Sequence, residues 1–577
     1  MLEQIMKYGL WLIGCCCLLA IPNVLVQESN LAFYGFLLCA CVWTILFTAN
    51  IMSKTKGSIY YTPSSLLLFT ILILSLSSTV LHHRATYVML ILWIIIGIYY
   101  QSVRQWFAQH KETAVIVCCN VLLLCLFLEL LLGYYQWIEV LLNNTSLSGV
   151  RGTFDNAAGL VAATVILYAC LLTLRSAVTG NRTKTITLNL ITWSAVGLII
   201  AIQSRIGLLA IIGCYWAHQK WTLSFLRKKG IRRYLFIFSA IIGGLALYFI
   251  KKDSADGRIL IYRCTMELFT KSPFTGLGYG GFKAAYMQEQ AAFFQTHPDS
   301  PFNRLADNIY TPMNEYLRFL VEYGIVTSAF LFLLVFYAWN MCRKSNNKVD
   351  NAVHNLLTGI FILSLCSYPI TYPFVLWTVL TAVAWTFRNE KPLILIQSTL
   401  LRTFSLWGRA LATGLAFLLT CRSLHFDMQW SKAFSTLQQG KACHAITMYE
   451  SLYPEMSENP AFLYNYAVFC NEMQRYARSD SLLNAYKKYG YDTNVLLLEA
   501  NNAMEREDYS RAESCLMNAH NCIPNRFIPL FYLMRLYRTT DNEEQAKKIA
   551  LQIIRQPIKV PSEEVNWIRE EARYYFQ

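Results

Sequence analysis

Charge is what this chain has least of. Asp, Glu, Lys and Arg make up 15% of its 577 residues, against 55% hydrophobic ones, and the mean hydropathy is +0.35. That balance is too apolar for a soluble protein of this length and points to a polytopic membrane protein. The eighteen cysteines include no Cys-x-x-Cys pair, and several, such as Cys15, Cys16, Cys17, Cys118 and Cys119, stand in apolar runs. A zinc site and a disulfide framework are therefore poorly supported, because a cysteine in an apolar run behaves as a small buried hydrophobe. No βαβ pattern surrounds Gly276, Gly278 and Gly280, so their alternation is not a dinucleotide fingerprint. Related halves, which many transporters show, are also missing. The net charge of +15 reads as base lining cytoplasmic loops, not as a surface for nucleic acid.

What is present is a series of about thirteen apolar segments, each near the roughly twenty residues a bilayer requires. They lie at 7–25, 31–51, 63–80, 86–102, 113–135, 156–174, 187–203, 206–219, 234–250, 319–341, 354–370, 372–387 and 404–421. Further apolar runs follow the first, which makes it a membrane span and not a cleaved leader. One set of alternate connections is rich in base: Lys54 and Lys56; Arg104 and Lys111; Arg175, Arg182 and Lys184; Arg227 to Arg233; Arg343, Lys344 and Lys348; Arg388 and Lys391. The other set carries Glu28, Arg84, Arg151 with Asp155, and Arg205. The basic set belongs in the cytoplasm, so the N-terminus is expected inside and, with an odd number of spans, the C-terminal part outside.

Residues 251–318 are the long polar interruption of this pattern, expected as an outer loop. A loop of that length inside a compact domain is usually functional. Its glycines, Gly276, Gly278, Gly280 and Gly281, suit turns or close backbone approach. Arginines at a membrane boundary often snorkel to headgroups. Several on a base-poor face, Arg84, Arg151, Arg205, Arg258 and Arg263, instead suggest an anion site, since guanidinium groups grip phosphate oxygens in pairs. Glu129, inside an apolar run, either faces the bundle interior or serves packing. Asp155 either orients Arg151 or caps the next helix.

Past Arg422 the composition turns polar and helical, and small residues recur: Ala433 to Ala467 is 34 residues, Ala467 to Ala500 is 33, and Ala512 to Ala546 is 34. That period resembles tetratricopeptide repeats, with an unrelated helical bundle as the alternative. Such repeats stack on their own neighbours and present a surface for a protein partner.

Val150 to Gly159, Ser204-Arg205, Gly257-Arg258, Ser272 to Gly278, Asn314 to Leu317 and Glu322 to Ile325 occur in that order. The set resembles the O-antigen ligase and polymerase superfamily of bacterial envelope glycosyltransferases, over roughly residues 115 to 385. The resemblance implies a metal-independent, cofactor-free, inverting transferase in the bacterial inner membrane. Its donor would be a glycan on undecaprenyl diphosphate, and its acceptor lipid A core, a growing glycan or a protein hydroxyl. It would hold the diphosphate on Arg205 and Arg258, with Arg151 and Arg263 nearby. The family carries a His-Asn pair before the closing helix, and this chain has Met313-Asn314 there. A hydroxyl attacking an anomeric carbon still needs a proton acceptor. Glu315, His297 and Asp307 are the candidates, beside Asn314, which can hydrogen-bond an acceptor. Glu315 comes first because it adjoins the family's histidine position, although a glutamate there also suits a helix start. His297 also fits a solvated loop, and Glu322 fits a structural role at the start of a span.

The expected architecture is thus all-α: a polytopic bundle of about twelve or thirteen spans over 1–421 with a large periplasmic loop at 251–318, then a tetratricopeptide-like periplasmic unit at 422–577. The expected function is ligase-like glycan transfer. A polysaccharide polymerase is the alternative enzyme, and a transporter or membrane scaffold the alternative without catalysis.

Overall fold

A computed structural model describes residues 2–18, 31–53, 59–110, 112–177, 181–219, 252–396 and 398–576. The expected span 234–250, the basic stretch Arg227 to Arg233, and Glu28, Lys54, Lys56 and Lys111 lie outside the described residues. The architecture is all-α. Helices α1 (Leu2–Leu18), α2 (Leu31–Ser53), α3 (Pro63–Leu81), α4 (Tyr87–Gln109), α5 (Glu112–Asn143), α6 (Ala157–Ala177), α7 (Arg182–Ala201) and α8 (Arg205–His218) form the first half of a bundle. Helices α9 (Lys252–Lys271) and α10 (Gly281–Thr296) follow, then α11 (Glu315–Lys344), α12 (Lys348–Ser364) and α13 (Pro373–Thr386). A 40-residue helix, α14 (Thr399–Gln438), leads into α15 (Ala442–Met456), α16 (Pro460–Glu472), α17 (Tyr476–Tyr486), α18 (Thr493–Glu505), α19 (Tyr509–Cys522), α20 (Phe527–Thr539), α21 (Glu543–Arg555) and α22 (Glu563–Phe576).

Eight of the described helices are long and apolar enough to cross a membrane: α2 to α7, α11 and α14. Tyr8–Leu18 of α1 and Pro373–Thr386 of α13 are shorter apolar helices. The expected spans 206–219 and 354–370 fall on α8 and α12, of 14 and 17 residues. A shared core of aromatic rings knits the bundle together. Trp43 stacks on Phe47 and meets Tyr99 and Trp106 edge-on, while Trp377 Nε1 donates to the Tyr99 hydroxyl at 2.8 Å. In a low-dielectric interior an indole N–H without a partner is costly, so such bonds fix the register of neighbouring helices. Strands β1 (Ile59–Tyr61) and β2 (Ile394–Ile396) pair antiparallel, Ile59 opposite Ile396, and close one end of the bundle. Arg104, expected in a basic connection, is instead buried in α4, its guanidinium over the Tyr60 ring.

The segment 251–318 is not an open loop. It folds as the hairpin α9–α10 followed by an irregular strap to α11. Leu260, Ile261, Cys264 and Leu268 make one buried stripe along α9, and Phe282, Tyr286, Met287 and Phe294 answer it from α10. That spacing is the amphipathic pattern of a surface helix.

The chain from α15 onward is a stack of short helices. Those at 442, 476, 509 and 543 begin at steps of 34, 33 and 34 residues. Each is entered through a turn holding one left-handed residue: Gly440, Gln474, Glu507 and Asp541. The recurring alanines Ala433, Ala467, Ala500, Ala512 and Ala546 are all buried, where a small side chain lets helices approach. No break separates this stack from the bundle, because α14 runs unbroken past Arg422. The stack does not pack on itself alone. Leu496, Ala519, Cys522 and Ile523 share one apolar core with α9 and α10. Gln290 Nε2 donates to the Cys522 carbonyl at 2.7 Å, and Asn525 Nδ2 donates to the carbonyls of Asn303 and Ala306.

Candidate active site

The glycine-rich run organises the site by splicing into a broken helix. A third of the way along α11, Gly324 leaves helical geometry at φ 74°, ψ 175°, a region open in practice to glycine alone. The freed backbone groups are taken up by residues 273–281. Ile325 N–H donates to the Pro273 carbonyl, while Leu277 N–H and Gly278 N–H donate to the carbonyls of Val321 and Glu322, all at 2.8 Å. A Cβ on Gly324 would lie 2.0 Å from the Phe274 oxygen, and one on Gly276 would lie 2.4 Å from the Glu322 backbone. Irregular backbone at the end of a membrane helix survives only when protein satisfies it in this way.

The break holds a line of buried charge in place. The Glu322 carboxylate accepts Gly280 N–H at 3.0 Å and attracts Arg84, whose Nη1 donates to the Leu277 carbonyl at 2.9 Å. One turn earlier Arg318 Nη2 pairs with Glu315 Oε2 at 2.8 Å. Glu315 is only 1% exposed, and its other oxygen accepts Ile370 N–H at 2.9 Å.

Arg84, Arg318 and Glu322 line a chamber of about 1160 Å³, together with Arg151, Lys283 and the tyrosines 279, 310, 323, 368 and 372. One wall is apolar, with Leu31, Phe33, Leu92, Trp93, Phe319 and Leu376. The opposite wall comes from the helical stack, through Glu455, Glu458, Asn459 and Tyr489. The Arg151 turn is anchored from beneath. Gln136 Oε1 accepts the N–H groups of Arg151 and Gly152, and Glu129 accepts Thr153 N–H at 3.1 Å and its hydroxyl at 2.5 Å. Glu129 thus faces the interior and supports the chamber floor. Asn156, rather than Asp155, supplies the cap to Ala158 N–H, and its side chain also bonds Tyr368 and Tyr372.

The other candidates lie apart from the chamber. Arg205 opens α8, and its Nη2 donates to Ser254 Oγ at 3.4 Å. Its charge repels that of Arg258. Arg258, Ser254 and Asp307 line a second cavity of about 240 Å³ with Asp253, Gly257 and Met313. Asp307 also lies 3.7 Å from Arg526 of the helical stack. Asn314 caps α11, its Oδ1 accepting the N–H groups of Tyr316 and Leu317. Arg263 and His297 flank one ring. The guanidinium of Arg263 sits 4.8 Å from the Phe293 centroid, and the imidazole of His297 stacks on it at 4.7 Å. Neither lines either cavity.

The segment after α12 links α9 to the chamber. Its Leu365 carbonyl accepts the Tyr262 hydroxyl of α9 at 3.4 Å, while Tyr368, Ile370 and Thr371 line the chamber. The structure therefore gathers Arg205, Arg258 and Asp307 at one place and Arg151 at another. It joins to Arg151 the Arg84 of the same outer-face set, and adds Arg318 and Glu322, which sequence reasoning did not nominate for the site. The signal for them was the clustering of charge at 315, 318 and 322 just before Gly324, in a helix otherwise apolar.

Residues 190–333, which span α9, α10, the glycine-rich splice and the break in α11, match the protein-family model described as O-antigen ligase. No curated protein matches the chain.

Proposed function

We propose, from the match of residues 190–333 to the O-antigen ligase family model, that this membrane-embedded chain is an enzyme that transfers a glycan from undecaprenyl diphosphate to an acceptor hydroxyl, lipid A core or protein. The observation that carries this reading is the cavity lined by Arg258 and Ser254, with Arg205 Nη2 donating to that Ser254 hydroxyl at 3.4 Å. Two guanidinium groups near one cavity offer planar forks that suit diphosphate oxygens. In the proposed step the acceptor oxygen attacks the anomeric carbon. The bond from that carbon to the diphosphate oxygen breaks, its electron pair leaves on the diphosphate, and the configuration inverts. The hydroxyl proton passes to a carboxylate. Asp307 is the carboxylate assigned here, because it alone of Glu315, His297 and Asp307 shares a cavity with Arg258. Glu315, committed to Arg318 and Ile370, holds the start of α11. Arg151, Arg84 and Lys283 line the chamber together with its apolar residues, a mixture that suits an amphiphilic substrate. The reading places Arg205, the chamber and the tetratricopeptide-like helical stack on the periplasmic side, and the N-terminus in the cytoplasm.

The test is transfer in vitro. Purified protein is given a lipid-diphosphate glycan with lipid A core, a protein acceptor or a second carrier-linked glycan, and product masses are read. Product on lipid A core or protein supports ligation. Product only on a second carrier-linked glycan would make the enzyme a polymerase, and no product on any acceptor would overturn the reading.

A further inference from the structure

The strap between α10 and α11 carries Asp307 and has one regular turn of its own, a 3₁₀ turn at Asn303–Leu305. Its Leu305, Asp307 and Ile309 line the smaller cavity beside Arg258. Most of what holds these residues comes from the helical stack, beyond the family match at 190–333. Asn525 Nδ2 donates to the carbonyls of Asn303 and Ala306 at 2.9 and 2.8 Å, and Lys559 Nζ donates to the Ala306 carbonyl at 3.3 Å. Asn308 Oδ1 accepts the Thr493 hydroxyl at 3.2 Å. That hydroxyl in turn accepts Arg526 Nη1 at 2.8 Å, and Arg526 Nη2 reaches Asp307 Oδ1 at 3.7 Å. Gln290 of α10 joins the two parts, donating to the carbonyls of Asp307 and Cys522. The backbone and side chains on either side of Asp307 are thus tied to residues that follow it by about two hundred positions.

We propose that Arg526 is a positioning residue for Asp307, and that the helical stack thereby completes the transfer site; the inference rests on the assignment of Asp307 as proton acceptor above. A base works only within hydrogen-bond reach of the proton it takes, and a misplacement of about 1 Å costs on the order of 10²-fold in rate. The Asp307 side chain is 60% exposed, so packing does not fix its direction. Bonds do so, and they fall on one oxygen. Oδ1 accepts Asn308 N–H at 2.9 Å and faces Arg526. Oδ2 carries no bond among the described residues, and it is the oxygen left to take the acceptor's hydroxyl proton. Arg526 is itself held at the junction of two helices. It stands at the start of α20, and its Nη1 is bonded to Thr493 at the start of α18. Groups supported by helices are placed more closely than groups supported by loops. A long, part-exposed ion pair contributes little to stability, so removing Arg526 tests position and not folding.

The test is a double-mutant cycle on full-length protein in nanodiscs. The donor is an undecaprenyl diphosphate glycan, and the acceptor is whichever of lipid A core, protein or carrier-linked glycan takes product from wild type. Arg526→Met should lower kcat by about 10–100-fold, with the donor KM and the thermal midpoint kept, and Arg526→Lys should recover part of the loss. On an Asp307→Asn background, Arg526→Met should cost nothing further, because it acts through a carboxylate that is already gone. A residue that merely braced the stack would slow both backgrounds alike. With no substrate present, Arg526→Met should also speed amide exchange in residues 303–311 by about tenfold. Arg475→Met, which breaks an exposed pair with Glu450 elsewhere in the stack, should change neither readout. The proposal is overturned if Arg526→Met turns over normally while Asp307→Asn is slow, if its loss is as large on the Asp307→Asn background, or if exchange in the strap is unchanged. Normal turnover by Asp307→Asn would strike the assignment of Asp307, and no product from wild type would strike the glycan-transfer reading. Either takes the proposal with it, and the exchange arm, which needs no substrate, tells those failures from a failure of Arg526 to hold the strap.

Discussion

Glu315 and Asp307 differ by environment more than by chemistry, and the roles proposed for them follow that difference. Breaking the buried Glu315–Arg318 pair leaves an uncompensated charge, so Glu315→Gln should cost about 3–5 kcal/mol of stability. The turnover of whatever protein folds should be kept. Asp307 is 60% exposed at the side chain, and its ion pair is long. Asp307→Asn should therefore barely move stability but lower turnover by about 10²–10⁴-fold. Thermal midpoints and turnover on both variants check the assignment, which fails if Asp307→Asn turns over normally. Gly324 belongs to the same scale. An alanine there meets the Phe274 oxygen and a backbone angle closed to it, so Gly324→Ala should yield little folded protein in a membrane extract. The need for a glycine at such a position can be read from a sequence only once its partner loop is known. Glu322-Tyr323-Gly324 and the 273–281 run were both visible as motifs, whereas their splice was not. For the same reason Arg318 and Glu322 went unnominated for the site. Each takes its meaning from a partner brought near by the break, not from its own sequence neighbours.

At the scale of elements, the membrane helices were legible because an apolar run of sufficient length has one favourable fate in a bilayer. The hairpin α9–α10 was not, since its buried stripe is short and its polar face dominates the composition. The helical stack was legible through its alanine period, and its turns carry a further regularity. Gln474, Glu507 and Asp541 hold positive φ angles of 57°, 59° and 55° where the first turn has Gly440. A left-handed residue with a Cβ costs roughly 1–2 kcal/mol, offset in part by the greater unfolded entropy of glycine. Glu507→Gly should thus stabilise the stack by about 0.5–1 kcal/mol, read as a rise in the urea midpoint. His520 on α19 gives the stack a pH dependence. Burial pulls its imidazole down to about 4, with Nδ1 unpartnered. Above the unfolded value near 6.5 both states are neutral, and no stability is lost. As the pH falls below it, the unfolded chain takes up a proton that the folded stack refuses. The stack should lose about 2 kcal/mol between pH 7 and pH 5. His520→Phe should flatten that profile, and an unchanged profile would contradict the assignment.

For the whole molecule, the docking of the stack on α9 and α10 could not be read from sequence, because its bonds join residues as far apart as Gln290 and Cys522. An expectation of a self-contained repeat unit follows from the general behaviour of solenoids. The shared core of Leu260, Phe282, Tyr286, Cys522 and Ile523 binds it instead to the site. A chain ending at Gln438 should expose that core, and limited proteolysis should then cut within α9–α10 well before it cuts the full-length protein. The account as a whole stands on the two adjacent guanidinium groups. Its most direct test is transfer from a lipid-diphosphate glycan by Arg205→Ala, Arg205→Lys and Arg258→Ala proteins of wild-type abundance. Arg205→Ala should abolish transfer, Arg205→Lys should restore little of it because one ammonium cannot fork two oxygens, and Arg258→Ala should weaken donor use. Transfer near the wild-type rate by Arg205→Ala would contradict the account.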